Sequence, residues 1–476
     1  MTFNSLNFFL FLPLVYLAFH FSPERLRWQV LLLASYSFYA SFAAPQLLIA
    51  LGLVTAISYA CGLRLGRPGA AARGAVFWAG TAGCLAVLVA MRLLPSWPGL
   101  VKQHPNWLMS IGVSYFTFQA ISYLADVYLE VLDPAVHLGR FALSLAFFPK
   151  LLQGPIERTG DLLPQLEKGY RFDYDALRSG TLLFAWGLFR KVVLADRFAL
   201  YANTVYGDVH AYTGLPLLIA TYAYAFQVYF DFAGYTDMAR GTARIFGIEL
   251  SENFKHPYLS TSIADFWRRW HISFSRWILD YIFKPLQMAW RGRGQAGTAL
   301  ALIATFLVSG IWHGASWGFV VWGLLHGSYL AASTWYRPYQ KRLRRRLGRE
   351  KKEPFRAWQI LVTFNLVCFA WIFFRAGSLT DAWYVVSHCL DFPGNYHSLQ
   401  AGWHDFVKLN VLMNVDRYQL FILVAAFAGT VAVYRFREIS ICRQPAWCRW
   451  PIYFGLTMTL ILLRVGGTTE FIYRQF

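Results

Sequence analysis

Apolar residues of this chain come in long blocks that short polar segments separate. A helix needs roughly 20 apolar residues to cross the hydrocarbon core of a bilayer. We predict such spans at 5–21, 28–44, 46–64, 75–95, 107–128, 180–199, 214–233, 298–312, 315–335, 357–375, 417–435 and 449–466. The pattern predicts an all-α, polytopic integral membrane protein with about 11–12 transmembrane helices, in which residues 1–476 form one membrane-embedded domain.

Two stretches differ from the other apolar blocks. Residues 141–155 are apolar but too short to span, and they end in a Gln-Gly-Pro turn at 153–155. This pattern predicts a re-entrant segment that enters the membrane and returns on the same side. The span at 180–199 is the weakest of the set, because Arg190 and Lys191 interrupt it.

Composition supports this interpretation and excludes others. The chain is 57% hydrophobic and only 14% charged, whereas soluble domains are about a quarter charged. The net charge of +19 does not indicate nucleic-acid binding, because the basic residues lie in short clusters between apolar blocks. The six cysteines include no CxxC pair, so we expect neither a disulfide framework nor a metal site.

The loops predict the orientation of the chain in the membrane. Residues 337–356 hold ten basic and two acidic residues, so we place them in the cytoplasm, where they also contact anionic lipid. Residues 378–416 hold four aspartates against Lys408 and are predicted outside. Counting spans from these loops puts both termini on the extracytoplasmic side.

Segment 222–237 places Gln227 and Asp231 inside an aromatic, apolar block. An ionisable side chain at membrane depth is costly and usually faces an aqueous cavity or a partner. Both residues are therefore candidates for lining a pore or substrate site, although a hydrogen bond between packed helices is the simpler explanation. Asp237 follows Gly234 and is expected at a membrane edge.

Segment 260–281 carries an S-x-x-D helix start at Ser262 and Asp265. Two stripes follow at helical spacing: an aromatic one of Trp267, Trp270, His271, Phe274, Ile278 and Tyr281, and a polar one of Arg269, Ser273, Arg276 and Asp280. They predict an interfacial helix over 263–281 with the aromatic side inward. His271 is then either a site residue or a satisfied histidine in an aromatic cluster.

Segment 306–327 contains the strongest candidate for chemistry. His313 lies between two apolar helices, and histidine at membrane depth is rare and tends to mark function. Its unperturbed pKa of about 6.5 suits proton transfer at neutral pH. Gly310, Gly314 and Gly318 allow backbones or a substrate to approach closely. We predict that His313 is catalytic.

Other residues nearby complete this candidate site. Trp312 and Trp317 could wall a pore beside the histidine, whereas His326 is interpreted as a packing residue. The chain has no GxSxG elbow, no Walker loop and no HExxH motif. A single histidine base implies transfer from a donor that is already activated, such as a thioester.

The same segments resemble the membrane-bound O-acyltransferase superfamily, in its bacterial branch of alginate O-acetylation and D-alanyl-export proteins. The resemblance is carried by IGVSYFTFQAISYLADVY at 111–128, FFPKLLQGPIER at 147–158, GLFRKVVLADRFA at 187–199, the stretch 225–281 and SGIWHGASWGFVVWGLLHG at 309–327. It implies that His313 is the catalytic histidine and His271 the second family histidine. It also implies a ring of tilted helices around a central pore.

The resemblance implies a function as well. We expect an acyl group, more readily acetyl than D-alanyl, to pass from a cytoplasmic thioester such as acetyl-CoA to an extracytoplasmic acceptor. The expected partner is an extracytoplasmic, SGNH-hydrolase-like acyltransferase or another acyl-acceptor protein, with a polysaccharide as the final acceptor. We expect no tightly bound cofactor and a location in the bacterial inner membrane. A proton-coupled transporter or flippase and a purely structural scaffold are the alternatives.

Overall fold

The computed structural model describes residues 1–67, 72–93, 111–170, 172–347, 353–391, 441 and 444–464, and within these ranges the chain forms helices and no strand. The described chain groups into two compact units. The first comprises Met1–Leu188 and Tyr235–Glu252, and the second comprises Phe189–Gly234 and Asn253–Phe476. The prediction of an all-α fold is confirmed.

The first unit contains a series of helices in its described N-terminal part. They are α1 (Leu6–Phe21), α2 (Glu24–Ala40), α3 (Pro45–Leu65), α4 (Arg73–Leu93), α5 (Val113–Tyr128), α6 (Leu138–Ala146), α7 (Thr159–Glu167) and α8 (Tyr174–Phe189). Ser5 caps α1 by accepting the Phe8 N–H, which satisfies one of the donors left free in a first turn. Aromatic rings form the core of this unit, where Phe3 lies 4.7 Å from Phe8 and 4.8 Å from Tyr235 between ring centres.

The segment that was predicted to be re-entrant lies in the first unit. It forms the short helix α6 and then a series of turns, and every residue from 141 to 157 is buried. The Lys150 ammonium donates to the Leu145 carbonyl oxygen at 3.1 Å. The Glu157 carboxylate accepts from the N–H of Ser251 at 2.6 Å and from its hydroxyl at 2.9 Å. Burial of these charges is therefore compensated by hydrogen bonds, as the protein interior requires.

The second unit contains the helices that carry most candidate site residues. They are a π-helical turn (Arg190–Ala195), α9 (Asp196–Gly207), α10 (Leu215–Ile245), α11 (Ile263–Trp267), α12 (Ile272–Ile278), a π-helical turn (Leu279–Phe283), α13 (Lys284–Ala289), α14 (Gly294–His313), α15 (Trp317–Leu347), α16 (Glu353–Arg375), α17 (Leu379–His388) and α18 (Ala446–Leu463). The last part of α10 belongs to the first unit.

Helix α10 is longer than the sequence indicated. The predicted span ended at residue 233, but the helix continues through Gly234 to Ile245. Asp237 consequently lies within the helix and is 8% exposed, with its carboxylate 3.8 Å from the Arg240 guanidinium. The predicted end of this helix at residue 233 is wrong, because one glycine in a buried helix is tolerated when neighbouring elements pack against it.

Five of the described helices are long and apolar enough to cross a membrane: Pro45–Leu65, Arg73–Leu93, Arg291–His313, Pro354–Arg375 and Ala446–Leu463. Leu6–Phe21 is a shorter apolar helix. Other predicted spans correspond to helices that carry buried charges or a polar extension, such as α10 and α15. The span predicted at 417–435 lies outside the described residues.

Candidate active site

A tight hairpin of α14 and α15 holds the principal candidate residue. His313 is the last residue of α14, and α15 begins at Trp317. Glycine allows the two helices to touch along their backbones. A Cβ atom on Gly310 would overlap the Phe319 carbonyl oxygen, and one on Gly323 would overlap the Phe306 carbonyl oxygen. The predicted role of glycine at this hairpin is therefore confirmed for Gly310.

Aromatic rings surround the His313 imidazole, which is only 6% exposed. Ring centres lie 4.5 Å away for Trp312, 4.9 Å for Phe374 and 5.1 Å for Trp322. Phe319 follows at 6.1 Å. We call these four rings and the imidazole the histidine box. Its walls exclude bulk water, which strengthens any polar interaction formed inside.

Trp312 connects His313 with the second candidate histidine. The Trp312 ring centre lies 4.5 Å from that of His313 and 6.5 Å from that of His271. Phe274 stacks on the same indole at 4.5 Å. The fold of the second unit thus brings the two histidines into one aromatic cluster. Their motifs are separate in the sequence, so the sequence alone could not show this proximity.

His271 interrupts the helix that was predicted over 263–281. The segment consists of α11 and α12, and His271 between them has φ 42°. The prediction of one continuous helix is wrong. Its physical cause is Asn253, whose backbone oxygen accepts the Ile272 N–H at 2.9 Å and whose Oδ1 accepts the Ser273 N–H at 3.0 Å. These bonds satisfy first-turn donors of α12 and so replace helical continuity.

Capping and most of the burial in this segment follow the sequence pattern, although Ser273 of the polar stripe is buried. Ser262 caps α11 by accepting the Asp265 N–H at 3.1 Å, as predicted. His271 is 2% exposed, and Arg276 on the polar stripe is exposed. Burial lowers the pKa of His271 to about 3, because an apolar surrounding disfavours the imidazolium. The His271 ring is therefore neutral at physiological pH and can orient or polarise a neighbour without carrying charge.

The tryptophans nominated from the sequence differ in position. Trp267 is buried and its indole N–H donates to Nδ1 of His326 at 3.2 Å. Trp270 is buried against Phe254, with 5.1 Å between ring centres. Trp317 is 70% exposed and stands outside the buried cluster.

Asp231 belongs to a buried ion cluster, which we define as Lys191, Asp196 and Asp231. The Lys191 ammonium lies 2.6 Å from the Asp231 carboxylate and 2.8 Å from that of Asp196. Each of these side chains is at most 6% exposed. Sequence reasoning identified Asp231 but missed its partner, because it treated Lys191 as an interruption of a weak span. A buried cation in an apolar block requires a counter-charge, and that requirement was the available signal.

Gln227 lies one turn before Asp231 on α10 and is 6% exposed. Its side-chain oxygen finds no hydrogen-bond donor within the part of the chain that the structure describes. Those residues also contain no group of three or more His, Cys, Asp or Glu side chains that could hold a metal ion. The reaction that this arrangement can support is proton transfer by the His313 imidazole in an apolar, aromatic environment.

Comparison with known proteins supplies the family. The model of the membrane-bound O-acyltransferase (MBOAT) family matches residues 135–374, which include both histidines. The chain is 36% identical over 446 residues to the probable alginate O-acetylase AlgI of Pseudomonas aeruginosa, covering 90% of this chain and 81% of that protein.

Two further relatives differ in the polymer that their names specify. Identity is 36% over 304 residues with the peptidoglycan O-acetyltransferase of Helicobacter pylori, covering 58% of this chain and 55% of that protein. It is 28% over 306 residues with the teichoic acid D-alanyltransferase of Bacillus subtilis, covering 61% and 76%. Helical architecture, a buried histidine hairpin and these matches agree, and the chain belongs to the membrane-bound O-acyltransferase family, as an acyltransferase of the branch that contains these relatives.

Proposed function

We propose that this chain transfers an acetyl group from a cytoplasmic thioester, acetyl-CoA in the first instance, through the membrane to an extracytoplasmic acceptor. The product is O-acetylation of a cell-surface or exported polysaccharide, directly or through an extracytoplasmic partner enzyme. Greater identity and coverage with the alginate O-acetylase than with the D-alanyltransferase favour acetyl over D-alanyl. The observation that carries the proposal is the burial of His313 in the histidine box inside the matched region.

His313 acts in this proposal as a general base. It takes the proton of an acceptor hydroxyl while that oxygen attacks the thioester carbonyl carbon, and the C=O electron pair moves onto the carbonyl oxygen. The tetrahedral intermediate then re-forms the C=O bond and expels the thiolate, which receives the proton from the His313 imidazolium. His271 and Trp312 orient the site, and the aromatic walls limit loss of the thioester to water.

The proposal includes an orientation in the bacterial inner membrane. Residues 337–356 lie in the cytoplasm, residues 378–416 lie outside, and both termini are extracytoplasmic. Cysteines introduced at the exposed positions Lys341 and Thr380, in a background without native cysteines, test it. An impermeant thiol reagent applied to whole cells should label Thr380→Cys and spare Lys341→Cys. The reverse pattern would overturn the orientation.

The acyl transfer itself is tested by His313→Ala. Loss of a general base lowers the rate by ~10²–10⁴-fold, so alkali-labile acetate in the surface polysaccharide should fall to the level of cells without the protein. His210→Ala is the control, because this half-exposed histidine of the same unit pairs with Asp381 outside the box. Wild-type acetate from His313→Ala at equal membrane abundance would refute the proposal. Release of D-alanine instead of acetate by the wild type would identify the second candidate donor.

A further inference from the structure

Trp322 occupies the centre of the aromatic cluster around the proposed base. It lies in the second turn of α15 and is 1% exposed. Its ring is perpendicular to that of His313 at 5.1 Å, and it packs against His326 at 5.0 Å and Phe374 at 5.3 Å. The imidazole and the indole are thus close enough for one small group to contact both rings.

The indole nitrogen of Trp322 is buried and has no acceptor among the described residues. An indole N–H can only donate a hydrogen bond. A buried donor without an acceptor costs roughly 1–3 kcal/mol, and native proteins leave few such groups. A bound molecule that supplies an acceptor for this N–H would remove that cost.

His326 supplies a second, independent sign of a missing acceptor. Its Nδ1 accepts the hydrogen bond from the Trp267 indole, so the proton of the neutral imidazole resides on Nε2. That Nε2 is also buried and lacks a hydrogen-bond partner in the described structure. The neighbouring Trp322 and His326 rings therefore each have an N–H group without an acceptor in the described structure. A carbonyl oxygen or an oxyanion could accept such a hydrogen bond.

Three backbone N–H groups close to His313 already donate hydrogen bonds within the hairpin. The N–H groups of Gly314 and Phe319 donate to the carbonyl oxygens of Ile311 at 3.2 Å and Ser316 at 3.1 Å. The N–H of Gly318 donates to the Ser316 hydroxyl at 3.3 Å. These three backbone donors are therefore already engaged, whereas the Trp322 indole is a buried donor beside the imidazole without an acceptor in the described structure.

We propose that the Trp322 indole N–H binds the carbonyl oxygen of the acyl group and stabilises the oxyanion of the tetrahedral intermediate. This inference rests on the proposed function, since it assigns an oxyanion donor to the same transfer. When the acceptor oxygen adds to the acyl carbon, the C=O electron pair becomes the oxyanion, and the hydrogen bond from Trp322 strengthens. When the thiolate leaves, the pair returns to the carbonyl and the hydrogen bond weakens.

Replacement of Trp322 by 3-(3-benzothienyl)alanine tests the donor alone, because sulfur replaces the N–H in a ring of nearly the same shape. The assay follows thiol release from acetyl-CoA by the full chain in membranes that hold its polysaccharide acceptor. We expect kcat to fall about 100-fold with little change in KM, as for loss of one oxyanion donor. Trp322→Phe gives a second, genetically simpler comparison.

Trp371 provides the matched control, because its indole nitrogen is likewise buried without an acceptor among the described residues. It is also 1% exposed and stacks on Trp322 at 5.9 Å, and its other described ring contacts are with Trp270, Tyr224 and Phe374. The same benzothienyl replacement at Trp371 should change kcat far less than at Trp322. Equal losses at both positions would mean that packing alone is involved and would overturn the inference.

The outcomes also separate this inference from the proposed function. Unchanged kcat for the Trp322 isostere, or a raised KM alone, overturns the oxyanion role. If His313→Ala is inactive in the same experiment, the proposed function survives that failure. If His313→Ala turns over acetyl-CoA like the wild type, the proposed function fails first, and the Trp322 assignment falls with it.

Discussion

The ion cluster and His313 of the histidine box lie in the same unit and are each at most 6% exposed, yet their polar surroundings differ. In the ion cluster, Lys191 sits between the carboxylates of Asp196 and Asp231 at 2.8 and 2.6 Å. In the histidine box, the Trp322 donor has no protein acceptor in the described ranges. Completed bonds are expected of structural groups, whereas a buried donor beside the proposed base can bind a substrate oxygen. The comparison therefore assigns a structural role to the ion cluster and a chemical role to the donor next to His313, and each assignment can be tested.

The largest effect on folding should come from the ion cluster. Lys191→Met leaves two buried carboxylates without their cation, which typically costs about 3–5 kcal/mol. Most of the protein should then be lost from the monodisperse peak in fluorescence-detected size exclusion, while His313→Gln keeps a normal peak.

A charge-free control sharpens that test. The triple variant Lys191→Met, Asp196→Asn, Asp231→Asn buries no net charge and should recover part of the folded yield. If Lys191→Met instead folds normally but loses turnover per folded molecule, the ion cluster has a catalytic role. The contrast between a structural ion cluster and a chemical histidine box would then be wrong.

The backbone contact between α14 and α15 at Gly310 and Gly323, which we call the glycine seam, should show the next largest effect. Gly323→Ala forces a Cβ atom against the Phe306 carbonyl oxygen, and such overpacking costs about 1–3 kcal/mol. We expect a lower thermal midpoint in detergent and a lower turnover, because α14 and α15 must separate. Gly207→Ala is the matched control, since a Cβ atom there meets nothing within 4 Å. Equal midpoints for the two variants would contradict the seam.

The backbone at His271 should produce a smaller difference. Its φ of 42° lies in the left-handed region, which costs most L-residues about 1–2 kcal/mol but which asparagine adopts more readily. His271→Asn should therefore unfold at a higher temperature than His271→Ala. A reversed order would show that ring packing, and not backbone conformation, governs this position.

The smallest effect is expected at the cap of α11. Ser262→Ala removes the acceptor for the Asp265 N–H and should cost about 0.5–1 kcal/mol. Ser262→Asp keeps an acceptor and should restore the thermal midpoint. A loss as large as that of Gly323→Ala would mean that this short helix carries more of the site than its length suggests.

Periodicity and residue type were sufficient for some of these features. Alternating apolar blocks predicted the helices, and a lone histidine between glycine-rich helices predicted the position of His313 at the end of α14. The S-x-x-D spacing predicted the Ser262 cap. Each of these depends on residues close together in the chain, where local geometry decides the outcome.

Features set by distant residues could not be predicted in the same way. The interruption at His271 depends on hydrogen bonds from Asn253, and the partner of Asp231 is Lys191 on a different element. Trp322 reads in the sequence as one more apolar residue of a helix. Its unmet donor becomes visible only when its neighbours on other helices are placed around it.

The glycine seam has a consequence for how this enzyme can acquire new acceptors. Where two backbones are in direct contact, no side chain can change its rotamer to make room. The spacing between the end of α14 and the first turns of α15 is therefore fixed before any substrate binds. Evolution, or a protein engineer, cannot widen this part of the site by small steps, because even one added methyl group meets a carbonyl oxygen at Gly310 or Gly323. Variation in the accepted polymer therefore has to be introduced by elements other than this hairpin.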